Sequence, residues 1–248
     1  LNAGCMPTKK LLHASQLHYQ ASNNIYFKNF DPPVVDDKKL FADMEKEIAY
    51  LREQTNKSVQ QDEGIELIRG RASMHDSHLA FVETEHDQQL QIAAESIVVA
   101  TGSSPVMPDF LPWQSGRVLT SNDALALKRL PASIAVMGGG VIGCEMACMY
   151  AEFGVETTVV EMAPNLLGLM QSEQASKTAE NILKNRGVNV LTETKVTKMV
   201  PDDKSITAEL ESEQKITAEY ALVTVGRSAN IDGISLKKLG IETADGII

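Results

Sequence analysis

Cysteine is scarce in this chain, with three in 248 residues. An odd, small number of thiols does not make a disulfide scaffold. A reducing, cytoplasmic setting is expected, in which any disulfide serves chemistry and not structure. No basic run exceeds two residues, the formal net charge is −10 and the acidic residues are spread along the chain. Nucleic acid is therefore not an expected partner. No apolar stretch approaches the length of a membrane span, so no membrane segment is expected. The first residues carry no signal-peptide pattern. What is present is ordinary for a globular protein: 43% hydrophobic, 23% charged, and long enough for one large or two ordinary domains.

Residues 7–22 read as a helix, with Pro7 suited to its first turn. The Asp-Pro-Pro stretch at 31–33 is a break. Asp36 and Asp37 are candidate caps for a longer helix, on which Leu40, Met44, Ile48, Leu51 and Val59 recur at helical spacing. The period then changes. "IELIRGRASM", "LAFVETE", "QLQI" and "ESIVVATG" read as short strands joined by polar turns. "VVATGSSPVMPDFLPW" is rich in Pro and Gly and marks a boundary or crossover. A second unit begins near residue 114. "SIAVMGGG" is a strand ending in glycines, "VIGCEMACMYAEFG" a helix ended by Gly154, and "VETTVVE" the next strand. "SEQASKTAENILKNRG" is a further helix and "VNVLTE" a strand, followed by a strand-rich piece from about 195 to 225. This alternation predicts a parallel sheet covered by helices.

The strongest local signal is Gly138-Gly139-Gly140-Val141-Ile142-Gly143. It follows an apolar strand, opens a helix, and precedes a second strand ending in Glu161, which is the context a dinucleotide fingerprint requires. Gly138 permits the tight turn, Gly140 lets the backbone approach a pyrophosphate, and Gly143 lets helix and strand pack closely. The phosphates would sit on the helix N-terminus. A carboxylate at Glu161 can accept from ribose hydroxyls and repels a 2′-phosphate. At about 4 Å and an effective dielectric near 20, one like-charge pair costs roughly 4 kcal/mol. No Lys or Arg occurs in the following "MAPNLLGLMQSEQ". NAD(H) is expected over NADP(H), and an arginine at 161 is expected to narrow or reverse that preference.

Cys144 and Cys148 lie four apart on the same helix, with no histidine near in sequence, and read as packing residues. No metal site is expected. His13, His18, His75, His78 and His86 are assigned no chemistry. Cys5 precedes a predicted helix start and is followed by Lys9 and Lys10, a setting that stabilises a thiolate. The residues alone leave Cys5 open between a redox thiol and a buried cysteine in a turn.

Four segments together resemble the flavoprotein pyridine nucleotide-disulfide oxidoreductases. "LNAGCMPTK" is similar to the family's CxxxxCxPSK redox motif, "VVATGSSP" to its ATGSxP segment, "GGGVIGCE" to its second dinucleotide motif and "TVGRSANI" to its GRxPN segment. Their order and spacing match over essentially the whole chain. Within the family, "LTSNDALALKRLPASIAVMGGGVIGCE" and "VVEMAPNLL" look most like the dihydrolipoamide dehydrogenase branch. Residue 8 is Thr where the family has Ser, and residue 229 is Ala where it has Pro; neither change removes a reactive group.

The resemblance implies an α/β fold: a Rossmann-like, three-layer NAD-binding domain (residues 114–225) inserted in a partial FAD-binding domain (1–113, with 226–248 as the return segment). It implies FAD and NAD as cofactors, and transfer of electrons between a dithiol such as dihydrolipoamide and NAD. Implied partners are the dithiol or disulfide substrate, a lipoyl domain of a 2-oxoacid dehydrogenase complex, and a second copy in a homodimer. A mercuric or other disulfide reductase, or a non-catalytic nucleotide-binding module, is the alternative. In the family's motif Cys5 is the second cysteine of the pair, so the chain reads as an internal piece of a longer protein. Alone, it is expected to hold no stoichiometric flavin. By the same resemblance Cys5 is the thiol nearer the flavin, Lys9 contacts the flavin and pairs with Glu145, and Ala72, Thr101, Gly102 and Ser103 line FAD. Gly138, Gly139, Gly140, Val141, Ile142, Gly143, Cys144 and Glu145 contact NAD, with Glu161, Val196 and Gly226 as further contacts.

Overall fold

A computed structural model describes residues 4–26, 31, 33–170 and 172–243. The first three residues of "LNAGCMPTK" and the last five of "IETADGII" lie outside the described residues. In chain order come helices α1 (Cys5–Ser22) and α2 (Asp37–Gln61), then strands β1 (Gly70–Met74), β2 (Leu79–Thr84), β3 (Gln89–Ala93) and β4 (Ser103–Pro105). There follow β5 (Val118–Thr120), α3 (Ser121–Leu125), β6 (Ser133–Met137), α4 (Val141–Glu152), β7 (Glu156–Val160), α5 (Glu173–Asn185) and β8 (Asn189–Leu191). Strands β9 (Val196–Pro201), β10 (Ile206–Leu210), β11 (Lys215–Ala218), β12 (Tyr220–Val223) and β13 (Arg227–Ala229) complete the order. The chain divides into two units: residues 1–53 with 106–226, and residues 54–105 with 227–248.

The first unit is built on a five-stranded parallel sheet of order β5-β12-β6-β7-β8. Its inner strands are apolar on both faces, as a covered parallel sheet demands. Alternate residues feed two separate cores. Leu119, Ile134, Val136, Val159 and Leu222 face a helical layer with Met146, Met149 and Tyr150 of α4 and Leu183 of α5. Val118, Met137, Val160, Ala221 and Val223 face the antiparallel meander β9-β10-β11 through Val196, Met199, Ile206 and Leu210. The result is three layers: helices, parallel sheet, meander. Leu11 of α1 and Phe41, Met44 and Ile48 of α2 bury in the same helical core. The structure thus groups residues 1–53 with the nucleotide sheet, where the sequence reading placed them with the flavin segment.

Helices α4 and α5 stop in the same way. Gly154 donates to Ala151 and Val155 to Tyr150; Gly187 donates to Lys184 and Val188 to Leu183. Both glycines have positive φ, 85° and 82°. This is the left-handed stop that satisfies the last carbonyls of a helix, and in each case three residues separate helix from strand. At the other end of α5, Ser172 accepts from Ala175 N–H.

The second unit holds the antiparallel sheet β1-β2-β3 and the two-stranded ribbon β4–β13. Two expected strands are corrected here. Of "IELIRGRASM" only Gly70–Met74 is a strand, and "ESIVVATG" forms none at 97–102. Ile65 and Leu67 are half exposed and Val98 is 87% exposed. Both segments have strand-forming side chains, but a strand also needs a neighbour to take its N–H and C=O groups, and among the described residues neither segment has one.

Candidate functional site

The glycine loop leaves β6 at Met137. Gly138 has φ 101°, and a Cβ there would lie 2.6 Å from the Thr224 carbonyl. A Cβ on Gly143 would lie 1.9 Å from the Gly138 oxygen. Helix and loop therefore touch backbone to backbone. Thr224, just after β12, braces the turn: its hydroxyl donates to the Met137 and Gly138 carbonyls at 2.9 and 3.0 Å. Gly140 differs from both. It is the N-cap of α4, its φ is −72°, and a Cβ there would meet nothing within 4 Å. No side chain caps α4 and no acidic residue lies in its first turn. Its amides face an open space bordered by Gly140, and the residues present fit the diphosphate of a dinucleotide.

Glu161 follows β7. Its Oε2 accepts from Gly139 N–H at 2.5 Å and its Oε1 from Ala163 N–H at 2.7 Å. The backbone of Glu161 is itself fixed, donating to Leu191 and accepting from Thr194. The carboxylate thus stands at the glycine loop with two backbone amides bound.

The same unit carries the thiol. Cys5 is exposed in the first turn of α1, whose N-cap is Gly4 with no side-chain cap. One turn on, Lys9 Nζ meets Glu145 Oε1 of α4 at 2.5 Å, so α1 is tied to the helix that opens at the glycine loop. Further along, Glu152 is only 4% exposed. It accepts from Ser15 Oγ at 2.7 Å and from Arg186 Nε at 2.6 Å, and its carbonyl lies 2.7 Å from His18 Nδ1. A buried carboxylate needs such partners. Lys9, Leu12, His13, Gln16, Cys148, Glu152 and Arg186 line an open cleft of about 320 Å³ beside this pair.

The remaining cysteines are placed for packing. Burial, with Glu161 and Cys148 nearby, pushes the Cys144 thiol up to about 11. Burial and Glu152 push Cys148 to about 11 against the opposing Arg186. Cys144 Sγ donates to the Gly139 carbonyl at 3.3 Å. Val196 buries its side chain beneath the meander, while Gly226 follows β12 with φ 138° and accepts from Val106 N–H. Among the described residues no group of three or more His, Cys, Asp or Glu could hold a metal ion.

In the second unit the "TGSSP" and "GRSAN" segments are brought together as β4 and β13. Arg227 Nε donates to Ser103 Oγ at 2.8 Å, Ser104 Oγ to Asn230 Oδ1 at 2.8 Å, and Asn230 Nδ2 to the Thr101 carbonyl at 3.2 Å. Gly102, with φ 72°, accepts from Asn230 N–H. Ala72 pairs with Val82 in the β1–β2 ladder.

Sequence reasoning missed Thr224, the Glu152–Arg186 pair and the loop after Glu161. There Leu167 N–H donates to the Gly139 carbonyl at 2.9 Å, from a residue with φ 55°. A leucine in the left-handed region leaves no composition signal.

Residues 1–248 match the family model described as pyridine nucleotide-disulphide oxidoreductase. The chain belongs to the pyridine nucleotide-disulphide oxidoreductases. Members of this family use FAD and NAD(H). The dihydrolipoyl dehydrogenase of Zymomonas mobilis is 31% identical over 253 residues, with 100% of this chain and 54% of that protein covered. That of Chlorobaculum parvum is 33% identical over 261 residues, again covering 100% and 54%. The chain spans about half the length of the curated relatives it matches. Among solved structures, the HOCl-induced flavoprotein disulfide reductase RclA of Escherichia coli, as its Cu(II) complex, superposes with TM-score 0.82 at 24% identity, covering 98% of this chain and 51% of that one. LpdA of Mycobacterium tuberculosis superposes with TM-score 0.84 at 22% identity, covering 99% and 54%. At such identities these two show that this chain has their fold.

Proposed function

We propose that this chain is the nucleotide-binding and thiol-bearing part of an NAD-dependent dihydrolipoyl dehydrogenase-like enzyme, which moves electrons between a dithiol, dihydrolipoamide, and NAD. The observation that carries the reading is the open, uncapped start of α4 at Gly140, tied through Glu145 and Lys9 to the helix that begins at Cys5. When bound, NAD supplies the hydride acceptor and FAD the two-electron relay. The residues of this chain do the rest. Gly138 to Gly143 receive the diphosphate on backbone amides. Glu161 leaves a lone pair on each oxygen for ribose hydroxyls, which favours NAD(H) over a 2′-phosphorylated cofactor. Cys5 offers the thiol, and Lys9 with Glu145 holds its helix in register with the nucleotide loop. The whole enzyme works as a homodimer with a lipoyl domain as its partner.

The test is Cys5→Ser in a protein of the relatives' length that contains this chain. Dihydrolipoamide-to-NAD turnover is expected to vanish while the flavin absorbance band stays at its original stoichiometry. Retained turnover overturns the assignment of Cys5; turnover with other disulfides but none with lipoamide moves the substrate to a different reductase.

A further inference from the structure

Glu161 is half-buried, and both of its oxygens are engaged by the chain itself, at Gly139 and Ala163. Gly139 is held from its other side too. Its carbonyl accepts from Leu167 N–H at 2.9 Å and from the Cys144 thiol at 3.3 Å. Leu166 is fully buried, and its Cδ2 lies 2.4 Å from where a Cβ on Gly139 would stand. Ser176 Oγ anchors the Leu166 carbonyl at 2.7 Å. Gly139, the middle residue of the glycine run, is therefore clasped on both sides of its peptide before any nucleotide arrives.

The chemistry of this clasp is specific for a carboxylate. Two N–H donors converge on residue 161, and an ionised carboxylate has two acceptor oxygens and no donor. Lysine or arginine brings only donors, and sets a cation beside a helix start that already carries partial positive charge. An arginine at 161 would lose these two amide bonds as well as any contact to a ribose.

We propose that Glu161 is a positioning residue that sets the shape of the glycine loop, so that a basic replacement weakens both NADH and NADPH binding instead of exchanging one for the other. This rests on the nucleotide reading given above, and two readouts keep the two ideas apart. The first uses no nucleotide: amide hydrogen exchange at Gly139 and Ala163 in the wild-type chain, Glu161→Gln and Glu161→Arg. Glutamine keeps the size and one acceptor but turns an NH₂ group toward the second amide. One of the two amides is expected to exchange about ten- to a hundredfold faster in Glu161→Gln, and both in Glu161→Arg, the range that follows from losing a hydrogen bond to a charged group. Amides in the interior of α4 should not change. The second readout is titration with NADH and with NADPH. Both affinities are expected to fall by about tenfold or more in Glu161→Arg.

Unchanged exchange at both amides in Glu161→Gln overturns the clasp. An arginine variant that binds NADPH more tightly than the wild type does overturns the claim about specificity. A wild-type chain that binds no NADH overturns the nucleotide reading and the specificity claim together, while the exchange rates still decide the clasp. Should Glu161→Arg fail to fold, Glu161→Gln decides by the same measurements.

Discussion

Two glycines three residues apart, Gly140 and Gly143, should fail in opposite ways when a methyl group is added. Gly140 has an ordinary φ of −72° and open space where its Cβ would stand. Two small effects nearly cancel in Gly140→Ala: about 0.4–1 kcal/mol gained by restricting the unfolded chain, and up to about 1 kcal/mol lost because alanine is a poor N-cap. The melting temperature should therefore stay within about 2 °C of wild type. The methyl occupies the space a diphosphate would take, and holds it off the first amides of α4. Losing one or two hydrogen bonds to a charged acceptor costs about 1.5–3 kcal/mol, a roughly 10- to 150-fold rise in the Kd for NADH. Gly143→Ala is the reverse case. Its Cβ falls 1.9 Å from the Gly138 oxygen and 2.8 Å from Thr224 Oγ1, a contact no rotamer relieves. Helix and strand must separate, at about 3 kcal/mol, or roughly 6–12 °C in melting temperature. Thermal melts of both variants without nucleotide, followed by NADH fluorescence titration, read both quantities. A Gly140→Ala chain that binds NADH as tightly as wild type, or that melts as low as Gly143→Ala, refutes the reasoning.

Other outcomes follow from the electrostatics. At pH 8, iodoacetamide should label Cys5 first. Thiols pushed up to about 11, as at Cys144 and Cys148, are then only about one part in a thousand thiolate; early labelling of either, seen by peptide mass spectrometry, contradicts this. Glu219 should give the first unit an acid-side stability slope. Burial works to raise its carboxyl, but the hydrogen bonds from Arg129 and Ala132 outweigh burial and hold it below its ordinary 4.5. A depressed carboxyl means that the unfolded chain takes up protons first. The contribution is complete above about pH 4.5 and is lost as pH falls through the folded value. Arg129 is more than half exposed, so screening keeps the amount to about 1 kcal/mol or less. Urea midpoints between pH 3 and 6 should show a shallower slope for Glu219→Gln, and identical slopes would count against the pair.

What the sequence could reveal was set by how local each cause is. The β6–α4–β7 unit was legible because its glycines, its apolar strand and its terminal carboxylate lie within 29 residues and each has a backbone reason to be there. The helix stop at Gly154 was legible for the same reason. The segments at 65–69 and 97–101 misled, because propensity belongs to the segment while strand formation belongs to a pair. The placement of α1 against α4 was hidden as well: Leu11 looks like any helical leucine until it is seen buried in the same core as Met146 and Tyr150. The partners of Glu161 were hidden most completely. Its position was readable from spacing, but whether its oxygens faced a ribose or two amides depends on a loop whose key leucine sits at φ 55°.

The identical stops of α4 and α5 leave no slack at one rim of the parallel sheet. Three residues reverse the chain each time, with glycine second and valine third, and all three N–H groups of each turn donate back to the helix. An inserted residue at either place would have to break the helix stop or shift the next strand by one position, which turns its two core-facing sides over. On the opposite rim the glycine loop is just as short, with three residues between β6 and α4, but twelve residues run between β7 and α5. Length variation among natural variants, and peptide tags placed by design, should therefore be excluded from the turns at Gly154 and Gly187 and be better tolerated in the longer connection between β7 and α5.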